Sequence, residues 1–119
     1  MKKQSIFIIV FLVLMNASCV QKSYTKTVVF YLDVKGIKNV KKVGIRGNDK
    51  PLSWDYDYDM QLDKDSVYKA TLTDKTGYKF TTVKFTINGN FELKDKDNRK
   101  VYFSNKDTTV YRAKFDKIE

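Results

Sequence analysis

The chain has 119 residues, no histidine, one cysteine and a formal net charge of +9. That length allows one domain at most, the lone cysteine excludes an intrachain disulfide, and the missing imidazole leaves acid–base and nucleophilic catalysis without its usual base. Lysines alternate with acids, as in Asp63-Lys64-Asp65 and Lys94-Asp95-Lys96-Asp97, so the positive balance reads as solvated surface and not as a nucleic-acid interface.

Residues 1–18 have the layout of a secretory signal peptide: a positive start at Lys2 and Lys3, an apolar run from Ile6 to Met15, then the small residues Ala17 and Ser18. The apolar run is about half the ~20 residues a membrane-spanning helix needs. Cys19 follows Ala17-Ser18 directly, and this arrangement resembles the lipobox of bacterial lipoproteins. The resemblance implies cleavage before Cys19 and acylation of its thiol, which would anchor an extracytoplasmic domain to a membrane of the cell envelope. Asn16 departs from the aliphatic residue usual three places before the cysteine, and the alternative is ordinary cleavage that leaves a free thiol. The charge falls to +7 once Lys2 and Lys3 leave with the signal. "VQKS" after the cysteine has no acidic residue, a weak pointer to the periplasmic side. Residues 19–26 are expected to be the lipidated cysteine and a polar tether.

From residue 27 onward the pattern is that of strands. Val28, Phe30, Leu32 and Val34 alternate with Val29, Tyr31, Asp33 and Lys35; Val43 and Ile45, Tyr68 to Leu72, Val83 to Ile87, and Tyr111 to Phe115 keep the same period of two. Turn residues separate the runs: Lys35-Gly36, Gly47-Asn48-Asp49, Lys75-Thr76-Gly77, Asn88-Gly89-Asn90 and Asp97-Asn98. Asn88-Gly89 is the strongest hairpin signal, because Asn-Gly accepts the positive φ angles of tight β-turns. No segment shows a helical period. Residues 27–117 are therefore expected to form one all-β domain, an immunoglobulin-like antiparallel sandwich of about seven or eight strands. Such a domain rarely makes the deep cleft that paired carboxylates need for glycoside hydrolysis, so neither catalysis nor a cofactor is expected.

"NDKPLSWDYDYDM", from Asn48 to Met60, holds the only proline and the only tryptophan of the chain. Its alternate aspartates Asp55, Asp57 and Asp59 invite a calcium reading. The spacing fails the helix-loop-helix calcium pattern, with Met60 where glycine belongs and Ser66 where glutamate does. On a strand the three would share one face about 7 Å apart, a solvated face more than a chelating one. Trp54 is open to two readings, a plug at one end of the sandwich core or a ligand platform.

"VGIRGNDKPLSWDYDYDMQL", followed by "VYKATLT", "TVKFTING" and "FELKDKDNRKVYF", resembles the starch-binding domains of carbohydrate-binding module family 20 and their glycogen-binding relatives. The resemblance runs from about Thr27 to Phe115 and rests more on the order of the motifs than on any one of them. It implies α-glucan binding: Trp54 as first stacking platform, Lys84 as a donor to sugar hydroxyls, Phe91 in the place of the second platform with Glu92 after it, and Asn98 as the asparagine of the Asn-Arg motif. Phe91 is smaller than the family's tryptophan, and the "LKDKD" spacer before Asn98 is longer than usual. Stacking of pyranose C–H faces on two angled rings is the physical basis of such binding. The expected partners are an α-glucan or other polysaccharide, the membrane through the lipid, and a glycan-degrading envelope protein. The rival is a lipid-anchored protein-interaction module that keeps the sandwich without binding sugar.

Overall fold

A computed structural model describes residues 22–118. The expected signal peptide and Cys19 lie outside the described residues. Nine strands follow in chain order: β1 Tyr24–Asp33, β2 Val43–Gly47, β3 Tyr58–Asp59, β4 Gln61–Lys64, β5 Val67–Thr76, β6 Phe80–Ile87, β7 Asn90–Phe91, β8 Arg99–Tyr102 and β9 Thr108–Lys114. They form two sheets, β4-β5-β1-β9 and β3-β2-β6-β7, with β8 also paired to β6. The fold is an all-β sandwich.

Alternation decides what goes inside. Phe30 and Leu32 of β1, Val43 and Ile45 of β2, Ala70 and Leu72 of β5, and Val83 and Phe85 of β6 are all buried, and the residues alternating with them belong to the outer faces, where Gly44 and Thr86 are buried in turn, with Asp57 against Gly44. The Phe30 ring meets Phe85 edge-on across the sheets at a centroid distance of 6.1 Å, and within its own sheet it meets Tyr111 of β9 at 6.0 Å. A buried Phe contributes roughly 1.5–3 kcal/mol by area alone, so these rings anchor the contact between the sheets.

Two features depart from the expected architecture. β1 begins at Tyr24, because Tyr24, Thr25 and Lys26 pair with Thr76, Lys75 and Asp74 of β5, so the tether expected through residue 26 is already strand at residue 24. β1 and β9 run parallel, from Thr27 opposite Thr108 to Asp33 opposite Lys114, in a sandwich expected to be wholly antiparallel. These two strands come from opposite ends of the domain and no hairpin joins them, so nothing in the connection dictates antiparallel pairing.

The Asn88-Gly89 turn is as expected, with φ of 53° and 80° and Ile87 paired with Asn90. Asn88 does more than turn the chain. Its Oδ1 accepts from the amides of Lys41 and Lys42, and its Nδ2 donates to the Asn39 carbonyl, so the hairpin also holds the crossing from β1 to β2.

Inside the sandwich, the fully buried Glu92 carboxylate accepts four hydrogen bonds: from Arg99 Nε at 2.7 Å and Nη2 at 2.8 Å, and from the amides of Phe85 and Asp116. Arg99 donates onward to the carbonyls of Lys114 and Lys117. Burial alone would lower the Arg99 pKa, but its hydrogen bonds to Glu92 and Tyr111 outweigh that and hold it above the ordinary guanidinium value. The pair thus staples β6, β8 and the segment after β9 into one unit.

Candidate functional site

The outer face of the second sheet is set by register. Arg46 of β2 stands opposite Lys84 of β6, Gly44 opposite Thr86, and Thr86 opposite Phe91 of β7. Directly opposed residues share a face, so Arg46, Lys84 and Phe91 all point away from the core.

Trp54 reaches this face from the loop after β2. Leu52, only 8% exposed, is the residue that plugs the end of the core, which leaves Trp54 half-buried and free of that task. Asp49 fixes the start of the loop, accepting a 2.6 Å hydrogen bond from the Thr81 hydroxyl and, through its carbonyl, one from the Leu52 amide. The end of the loop lies flat on β2 because Gly44 has no side chain. A Cβ there would sit 2.7 Å from Asp57 Cβ and 2.8 Å from Thr86 Oγ1.

The outcome is an aromatic pair. The Trp54 and Phe91 rings are 6.5 Å apart at 48°, and Phe91 is 44% exposed. Arg46 organises both. Its Cζ lies 4.9 Å from the Phe91 centroid, its Nη1 donates to the Trp54 carbonyl, and its Nε donates to Asp57 Oδ1 at 2.7 Å. Arg46 was not among the residues expected from sequence, although the alternation in "VGIRG" marks it as the outward residue between Ile45 and Gly47.

No family model and no curated protein matches the chain.

The other expected residues separate into three situations. Lys84 lies on the same face, and its ammonium donates to the carbonyls of Leu93 at 3.2 Å and Lys96 at 2.8 Å, so two of its three N–H groups hold the loop between β7 and β8. Glu92 is the interior partner of Arg99, and with both oxygens occupied and no surface exposed it offers nothing to a ligand on the outer face. Asn98 is exposed, but the depression it lines is walled by Leu93, Lys100, Tyr111, Arg112 and Ile118, among others, and by neither Trp54 nor Phe91.

The aspartates do not form the single strand face expected of them. Asp57 is packed under the loop against Arg46, Asp59 pairs with Lys42 at 3.3 Å on the surface, and Asp55 belongs to the loop. Among the described residues no three carboxylate, thiol or imidazole side chains converge as metal ligands.

Proposed function

We propose that this chain is a non-catalytic glycan-binding module, an immunoglobulin-like sandwich of the starch-binding type that holds α-glucan on Trp54 and Phe91. The observation that carries the reading is the pair itself: two partly exposed rings at 48°, placed side by side on a sheet face by residues distant in sequence. Two flat faces set at an angle suit a curved polymer whose sugars expose C–H patches, while the free N–H of Lys84 supplies a donor for a hydroxyl. If each stack removes on the order of 100 Å² of apolar surface, burial contributes about 2.5 kcal/mol per ring before the cost of association. The dissociation constant is then roughly 10 μM to 1 mM.

Weak capture of this kind gains from a surface that holds many copies or from a partner that does the chemistry. Lipidation at Cys19 and display in the cell envelope, beside a glycan-degrading protein, would supply both. Retardation of the domain in gels containing starch or glycogen, lost in Trp54→Ala at unchanged thermal stability, is the expected result. Migration of the intact domain unchanged across a range of α-glucans would overturn the reading in favour of an envelope interaction module. Cys19→Ala should abolish acylation and release the protein from the membrane fraction, whichever ligand it takes.

A further inference from the structure

β6 carries a second aromatic pair that repeats the geometry of the first. Phe80, at the start of the strand, stands opposite Tyr102 of β8, and their rings are 5.6 Å apart at 47°. Phe80 is 38% exposed and Tyr102 63%. A cation lies over one ring here as well: Lys100 Nζ is 5.4 Å from the Phe80 centroid, as Arg46 Cζ is 4.9 Å from that of Phe91. Phe80, Thr82, Lys84 and Thr86 share one face by alternation, so both pairs belong to the outer face of the second sheet. Six residues of strand separate them, about 20 Å.

The side chains between the two pairs are Thr82 opposite Lys100 and Lys84 opposite Arg46. All four carry hydrogen-bond donors and none is aliphatic; Arg46 and Lys84 spend part of theirs on Asp57, the Trp54 carbonyl and the loop between β7 and β8, and keep the remainder. A protein interface of this area would be expected to have an apolar centre poor in lysine. Aromatic platforms at both ends with a donor-lined strip between them suit a hydroxylated chain with apolar ring faces. A cross-strand aromatic pair also strengthens a sheet, by roughly 0.2–1 kcal/mol, but that role does not require the rings to stand open to solvent.

We infer that Phe80 and Tyr102 form a second platform for the same glycan chain, so that one α-glucan chain passes along β6 from Trp54–Phe91 to Phe80–Tyr102. The inference rests on glycan binding at the first pair. Its signature is dependence on chain length: a short oligosaccharide reaches one platform, and a chain that spans about 20 Å reaches both.

The test is titration of the intact domain with maltotriose and with a longer linear maltooligosaccharide series, followed by calorimetry and counted per glucose unit. The expected ratio of long-chain to short-chain affinity is at least ~10 in the parent protein and close to one in Tyr102→Ala. Phe80→Ala is the second variant, and thermal unfolding of both checks that the sheet is intact. A parent ratio near one, or a ratio unchanged in both variants, overturns the second platform and leaves the first in place. Absence of binding to every chain length overturns the proposed function itself, and the second platform with it.

Discussion

Among the described residues two arginine–carboxylate pairs have the same 2.7 Å bond from Nε, and they do different things. Arg99 and Glu92 are sealed in the interior, where every oxygen of the carboxylate has a donor and the guanidinium reaches three further elements of backbone or side chain. Arg46 and Asp57 lie under a surface loop, and the guanidinium also faces the Phe91 ring and the Trp54 carbonyl. The chemistry of the bond is common to both. What surrounds it decides whether the pair joins sheet to chain end or aims a pair of aromatic rings.

Breaking the interior pair should have the largest effect. Glu92→Ala leaves a buried guanidinium without its anion, and losing one partner of such a pair costs about 3–5 kcal/mol. Domains of this size are stable by only about 5–15 kcal/mol, so chemical denaturation should find a large share of the stability gone and the midpoint well below that of the parent. A near-parental midpoint would mean that the staple contributes little.

Breaking the surface pair should separate stability from binding. Arg46→Met strands the nearly buried Asp57 carboxylate, at a cost of about 1–3 kcal/mol. It also removes the cation that backs Phe91, and retardation by starch should weaken by about tenfold or more. Adding Asp57→Asn should recover most of the stability and little of the binding, because no charge remains to be stranded while the rings stay unbacked. If the double variant recovers both equally, Arg46 serves the loop and has no role in placing the rings.

The smallest effect concerns an acid that belongs to neither pair. Asp33 accepts a 2.7 Å hydrogen bond from the Ser66 hydroxyl and one of 2.8 Å from the Lys35 amide, and these, in that order, hold its pKa below the ordinary 3.8. A carboxylate with a depressed folded-state pKa stabilises the fold above its unfolded value and loses that contribution as pH falls through the folded one. Asp33→Asn should therefore flatten the acid limb of the stability profile below pH about 4. An unchanged acid limb would show that these hydrogen bonds are not kept in solution.

The parts of this architecture legible in the sequence are those whose signal is local. Val28, Phe30 and Leu32 announce an inner face by alternation, and Asn88-Gly89 announces a turn by the φ angles it tolerates. β4 announced nothing, because all four of its residues are exposed on an edge strand and no core position imposes a period. β3 and β7, of two residues each, are too short to carry a pattern.

For the candidate site the division is similar. "SW" in a loop pointed to Trp54, but no local pattern could say that Leu52 would take the core position and leave the indole half-exposed. Glu92 illustrates the opposite error. Next to an exposed aromatic it reads as a ligand contact, yet the carboxylate turns inward because Arg99, seven residues later, is buried opposite it. Long-range pairing decides both cases.

The parallel pairing of β1 and β9 has a mechanical consequence. The chain enters β1 at Tyr24 and leaves β9 at Lys114, and because the strands run side by side in the same direction these points lie at opposite ends of the pair. Tension applied between the two ends of the domain acts along the strands and loads the seven registered positions of the ladder together, in shear. A hairpin such as β6–β7, pulled at its open end, parts one bond at a time. Single-molecule stretching between the two ends should therefore record an abrupt rupture of the whole domain with no gradual lengthening before it.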